Sequence, residues 1–168
     1  MSKPKTHLIH SLWASFLLYP ALNENTILFC LSSVLVDIDH AFDYIKNTKS
    51  LNVKGLYIYH DIITENADKN YLSLSIFHTI ECYLLLLYLA TIFPFFYYIL
   101  AGFVFHHLTD LIRDIKRGYP FVRAVSIIEY FIRRKKRRYL TTMKELLNKD
   151  NLNVPPHIDL KEWQKKWK

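Results

Sequence analysis

Cysteine is scarce: two residues in 168, Cys30 and Cys82, each inside an apolar run. Neither has the paired spacing of a zinc knuckle, so a disulfide framework is excluded and both read as small buried hydrophobes. A cleavable leader is also lacking by pattern. Lys3 and Lys5 precede an apolar stretch, but it ends in Tyr-Pro-Ala-Leu-Asn with no small-x-small site, so the segment is expected to stay and to contribute a helix. Basic residues are thin over the first two thirds. Residues 1–110 carry 6 Lys+Arg against 9 Asp+Glu, whereas residues 111–168 carry 16 against 6, so the net +7 originates at the C-terminal end. Such a patch attracts phosphate on lipid or nucleic acid, and no recognised nucleic-acid module surrounds it, which favours lipid.

Formal charge is missing altogether from the twenty-four residues Cys82 to Phe105. That is long enough to cross about 30 Å of hydrocarbon as one helix. Pro94 argues for a break, because inside a helix it would cost ~3 kcal/mol. Two short helices meeting at Phe93-Pro94 are expected, with Gly102 allowing close helix contact. Upstream, Leu8 to Tyr19 and Thr26 to Val36 form a second pair around the breaker Pro20 to Asn25. Half of the chain is apolar, so disorder is excluded outside the ends.

Against these absences stand four clusters of metal-competent side chains: His7 and His10; Asp37, Asp39 and His40; His78 and Glu81; His106, His107 and Asp110. Their distances from the two breakers match. On helices rising about 1.5 Å per residue, every cluster lies roughly 15 to 23 Å from its turn. Two antiparallel hairpins then gather all four at one end of a four-helix bundle, which is how bundles build metal sites. His106 and Asp110 share a helical face at i,i+4, and an ionised Asp in so apolar a helix needs a partner or a metal. Asp37 and Asp39 at a helix C-terminus oppose the macrodipole, a conflict that a cation would relieve. Taken singly, each cluster also fits a structural ion pair, a solvated helix end or a buried histidine. His107 points about 100° away from His106. His60 and His157 lie in polar segments and read as exposed.

The pattern resembles a family of membrane-bound metal-dependent hydrolases described as LexA-regulated, themselves distantly similar to zinc-dependent phospholipase C and related nucleases. The residues that carry the resemblance are Thr6-His7; an apolar helix ending in Asp37-Ile38-Asp39-His40; His78-Thr79; and Gly102 with His106 and Asp110, in order over residues 6–110. The chain departs from the pattern at Val36, where the family has Pro, and at Leu74-Ser75-Ile76-Phe77, where a His-Arg pair is common. The resemblance implies an all-helical metal hydrolase.

The expectations are therefore an all-α chain, with a metal-binding bundle over 1–119 that carries a polar insert at about 46–72, and a basic extension over 120–168. Candidate ligands are His7, Asp37, Asp39, His78, His106 and Asp110, for one or two divalent ions, zinc first. His40 and Glu81 are candidate catalytic groups, stabilising negative charge and moving protons around metal-activated water. Phosphoester or phospholipid is the expected substrate, and the alternative is a non-enzymatic membrane protein with structural polar clusters. From Phe121 to Leu147 one long amphipathic helix is expected, with a collar of Arg133, Arg134, Lys135, Lys136, Arg137 and Arg138 for an anionic membrane surface, followed by Trp163 and Trp167 among lysines. The excess of lysine on the cluster side places that side in the cytoplasm, at the inner membrane.

Overall fold

The computed structural model describes residues 4–72, 74–119, 123–136 and 139–165. Among them regular structure is helical: α1 (Pro4–Leu22), α2 (Thr26–Leu35), α3 (Ile38–Thr48), α4 (Val53–Glu65), α5 (Ile80–Ile92), α6 (Phe96–Lys116), α7 (Ile127–Arg134), α8 (Met143–Leu147) and α9 (Leu160–Lys165). An isolated bridge between Tyr71 and Leu140 is the one extended pairing of these residues. The chain divides into two compact units: unit A, Met1–Ile38 with Ile76–Pro120, and unit B, Asp39–Ser75 with Phe121–Lys168.

In unit A, α1 packs on α2, α2 on α6 and α6 on α5. The first reversal falls at Asn23–Asn25, with Asn23 in the left-handed region at φ 49°, a conformation that asparagine tolerates better than most residues. Pro20 lies inside the last turns of α1 rather than beginning the turn. The second reversal follows Phe93, held extended at φ −126° and ψ 100° by the proline after it. The Ser33 hydroxyl donates to Ser11 Oγ at 2.7 Å, fastening α2 to α1. Between α2 and α6 the spacing is set by Gly102: a Cβ there would lie 2.5 Å from Phe29 O and run into Ser32 Oγ, so only glycine permits this approach.

Unit A is polar inside and apolar outside. Its buried side chains include His7, Ser11, Ser15, Ser32, Ser33, His78, Thr79, His106 and Asp110, beside a few apolar ones such as Phe29, Leu86 and Ala90. Phe16 is 73% exposed, Leu17 70% and Trp13 64%. The helical stretch Thr6–Thr48 is long and apolar enough by composition to cross a membrane. It folds back at Asn23, so its first arm is the 19 residues of α1, about 28 Å long.

Unit B is built the other way round. Tyr44, Tyr59, Ile62, Tyr71, Leu140, Met143, Leu146, Ile158 and Trp163 form one buried core. Residues 46–72 are therefore not an insert of the first domain, as their polarity suggests. They hold α4, whose N-cap Asn52 accepts from Gly55 N at 3.0 Å, and they share the core with the C-terminal third. Inside that core Asp43 Oδ2 accepts from the hydroxyls of Tyr59 at 2.6 Å and Tyr71 at 3.0 Å. Asn47 ties the same group to α8: its amide donates to Tyr59 Oη at 2.9 Å, and its Oδ1 accepts from Met143 N at 3.1 Å.

The single long helix expected over 121–147 is also corrected. α7 ends at Arg134, the chain extends at Leu140 (Leu72 N to Leu140 O 2.7 Å, Leu140 N to Asn70 O 3.1 Å), and α8 restarts behind a Thr142–Glu145 capping box. Six successive cations would repel at i,i+3 and i,i+4 in a helix, and the extended residue joins segments distant in sequence. Arg137, Arg138, Phe121 and Trp167 lie outside the described residues. By sequence, unit A carries 5 Lys+Arg against 5 Asp+Glu and unit B 17 against 10, so the whole net +7 belongs to unit B.

Candidate metal centre

Four segments of unit A bring ligand-type atoms to one point. His7 sits in the first turns of α1, Asp37 on the break between α2 and α3, His78 at the end of the turn Ile76–His78 that precedes α5, and His106 and Asp110 one turn apart on α6. One ligand atom from each of Asp37, His78, His106 and Asp110 lies within 4.8 Å of every other. Around a single zinc such atoms stand about 3 to 4 Å apart, so a small contraction completes the set. Asp37 is half-buried and the other three are buried.

The orientation of His106 is fixed from behind. Its Nδ1 is 2.8 Å from Ser33 O. A carbonyl only accepts, so Nδ1 carries the hydrogen and Nε2 is left to face the carboxylates, 3.2 Å from Asp37 Oδ1 and 3.8 Å from Asp110 Oδ2. Metal-ligating histidines are commonly held through the second ring nitrogen in this way. His7 stacks on His106 with ring centroids 4.0 Å apart and points Nε2 at Asp110 Oδ1, 3.2 Å, and at Asp37 Oδ2, 3.9 Å. His78 Nε2 is 3.7 Å from Asp37 Oδ1. Each aspartate thus turns one oxygen toward His106 and the other toward His7.

The donor set fits a divalent ion. Nε2 of His7 and of His106 are buried without a hydrogen-bond partner, and each confronts carboxylate oxygens. Imidazole nitrogens with carboxylates suit zinc and other first-row ions. A buried Asp110 beside a half-buried Asp37 carries a cost that a cation offsets.

Of the six ligands read from the sequence, Asp37, His78, His106 and Asp110 form the group and His7 adjoins it through Asp110. Asp39 is not a member. It and His40 open α3 within unit B, where His40 Nδ1 is 3.7 Å from Asp39 Oδ1 and its ring lies 5.7 Å from that of His60. Because α2 ends at Leu35, Asp39 occupies the first turn of a new helix, where the macrodipole favours a carboxylate; the conflict read from the sequence does not arise there. Glu81 is in the first turn of α5, half-buried and outside the group. His10 is exposed rather than facing inward. His60 is buried, contrary to its polar surroundings in sequence, while His157 is exposed beside Asp61 at 3.6 Å. Sequence reasoning missed the supporting Ser11 and Ser33, and it passed over Asp114, buried one helical turn beyond Asp110.

No family model, curated protein or solved structure matches the chain.

Proposed function

We propose that unit A is a membrane-embedded metal-dependent hydrolase centre acting on a phosphoester, a lipid headgroup being the favoured class, with zinc as the first candidate ion. The observation that carries this reading is the convergence of Asp37, His78, His106 and Asp110 inside a unit whose outer surface is apolar. The motif resemblance over residues 6–110 supports hydrolysis. A bound divalent ion supplies an electrophile for the phosphoryl oxygens and makes water acidic near neutral pH. His78 and His106 would hold it with one oxygen of each aspartate. The remaining aspartate oxygens and His7 form a second donor group, which supports room for two ions. Ser33 keeps the His106 lone pair aimed inward, and Glu81 is assigned proton transfer. His40 belongs to unit B and receives no step.

The membrane part rests on the outward Trp13, Phe16 and Leu17 and on α7, where Ile128, Phe131 and Ile132 are exposed beside Arg134, Lys135 and Lys136, a composition suited to an anionic interface. Arg133 is otherwise engaged, donating to Arg123 O at 2.9 Å and lying over the Tyr139 ring. The lysine bias assigns the metal side to the cytoplasmic face of the inner membrane.

Elemental analysis of detergent-purified protein should find one or two divalent ions per chain, lost in His106→Ala and Asp110→Asn. Hydrolysis of a nitrophenyl phosphodiester should fall at least about a hundredfold in the same variants. Metal-free protein that takes up no zinc would refute the centre. Metal without hydrolysis of any phosphoester would refute the enzyme.

A further inference from the structure

Unit B contains a cleft of about 810 Å³ that the metal centre does not use. Its volume falls within the usual range for small-molecule sites, about 300 to 1,000 Å³. Four lysines border it, Lys46 from α3, Lys144 from α8, and Lys161 and Lys165 from α9, and no acidic residue lines it. None of the four makes an ion pair within 4.0 Å among the described residues, although unit B carries ten acidic residues in sequence. Glu145, next to Lys144, is engaged with the backbone, its carboxylate accepting from Thr141 N at 2.7 Å and Thr142 N at 3.0 Å. In the wall between the lysines, Asn47 is held at both ends by Tyr59 and Met143.

Four ammonium groups left unneutralised around one concavity repel each other unless an anion sits among them, and a single monoanion leaves most of that repulsion in place. We infer that this cleft binds a ligand bearing several phosphate charges, the headgroup of a multiply phosphorylated lipid or a soluble polyphosphate. Lysine, a flexible point charge with three donors, suits phosphates arriving in more than one arrangement. The lysine stems and Leu147 supply an apolar floor for the carbon skeleton of such a ligand. This site is separate from the metal reading and stands or falls without it.

Calorimetric titration of the detergent-purified full chain with inorganic pyrophosphate, with EDTA present throughout, tests the cleft apart from any metal. In parallel, flotation measures binding to vesicles carrying a bisphosphorylated inositol lipid, against phosphatidylserine vesicles of equal surface charge. Lys46→Gln/Lys161→Gln should weaken binding about tenfold and flatten its salt dependence, while Lys149→Gln, outside the cleft, should leave it unchanged. Loss of pyrophosphate binding in the double variant supports a soluble ligand. Loss confined to the phosphorylated vesicles supports a headgroup. Equal binding by wild type and double variant, or equal preference for phosphatidylserine, overturns the proposal. A further titration without EDTA completes the test: pyrophosphate binding seen only there also overturns the proposal, because the anion would then be held through a metal.

Discussion

Unit A is the more apolar by sequence, with 50 apolar residues of 83 against 36 of 85 in unit B, and the two place those residues in opposite senses. In unit B, Ile62, Met143 and Leu146 are withdrawn from solvent completely, and the described lysines apart from the half-buried Lys69 face outward. In unit A, serines, histidines and two aspartates occupy the interior while Phe16, Leu17 and Trp13 face out. The buried core of unit B is of the kind that the hydrophobic effect holds together. In the membrane placement proposed for unit A that drive is absent between its helices, and close approach at Gly102, hydroxyl contacts and the polar cluster take its place. The same side chain therefore has different worth on the two sides of the chain.

The contrast can be broken most directly by matched truncations. Leu146→Ala should destabilise unit B by about 2 to 5 kcal/mol, the usual cost of a cavity in a dry core. Phe16→Ala, a larger deletion, should change the stability of unit A in detergent by under about 0.5 kcal/mol and reduce partition into vesicles instead. Denaturant titration monitored separately in each unit, by labels at Leu147 and at Leu17, would check both. Equal losses would show that Phe16 is a core residue. Next in size is Gly102→Val, where a side chain between α2 and α6 should cost about 1 to 3 kcal/mol or more by overpacking and release metal, with unit B untouched.

A third test uses pH. Burial pushes the Tyr59 and Tyr71 hydroxyls well above the ordinary phenol value, and the Asp43 carboxylate raises both further. A raised folded value means that the contribution is complete below the unfolded phenol value near 10 and declines as pH rises beyond it, by about 1.4 kcal/mol per pH unit for each phenol. Unit B should therefore melt cooperatively above about pH 10, with phenolate absorbance appearing only on unfolding, and Tyr71→Phe should reduce that slope. Phenolate forming before unfolding would contradict the buried network. Smallest is Ser33→Ala, which removes the Ser11 hydrogen bond but keeps the carbonyl behind His106. It should cost unit A about 0.6 kcal/mol in thermal stability and leave metal content intact.

What was legible in the sequence follows from the range of the forces involved. The two breakers and the apolar helices around them are local, and they carried the alignment of His7, Asp37, His78, His106 and Asp110 onto one place. The break at Val36-Asp37 was not legible, because Leu35 through Ala41 contains neither glycine nor proline and reads as continuous helix. Without that break Asp39 and His40 were carried into the wrong group. Unit B was missed for a similar reason: the Tyr71–Leu140 bridge and the Asn47–Met143 bond join residues 69 and 96 positions apart, and neither side of either contact bears a signal of the other. Asp43, one turn beyond Asp39 and His40, was the trace of its polar core.

The hydrogen bond from His106 to Ser33 gives α2 the office of a gauge. Ser33 belongs to the last turn of α2, where carbonyls run short of intrahelical donors, and four residues later the same chain delivers Asp37 to the imidazole that Ser33 has aimed. Backrest and ligand thus lie four residues apart, one in the last turn of α2 and the other on the break that follows it. An added residue between Ser33 and Asp37 would carry the carboxylate away from the His106 imidazole and spoil the centre. An added residue in the Asn23–Asn25 turn would leave that spacing as it is. Tolerance to length change in this chain is therefore graded by distance from one carbonyl.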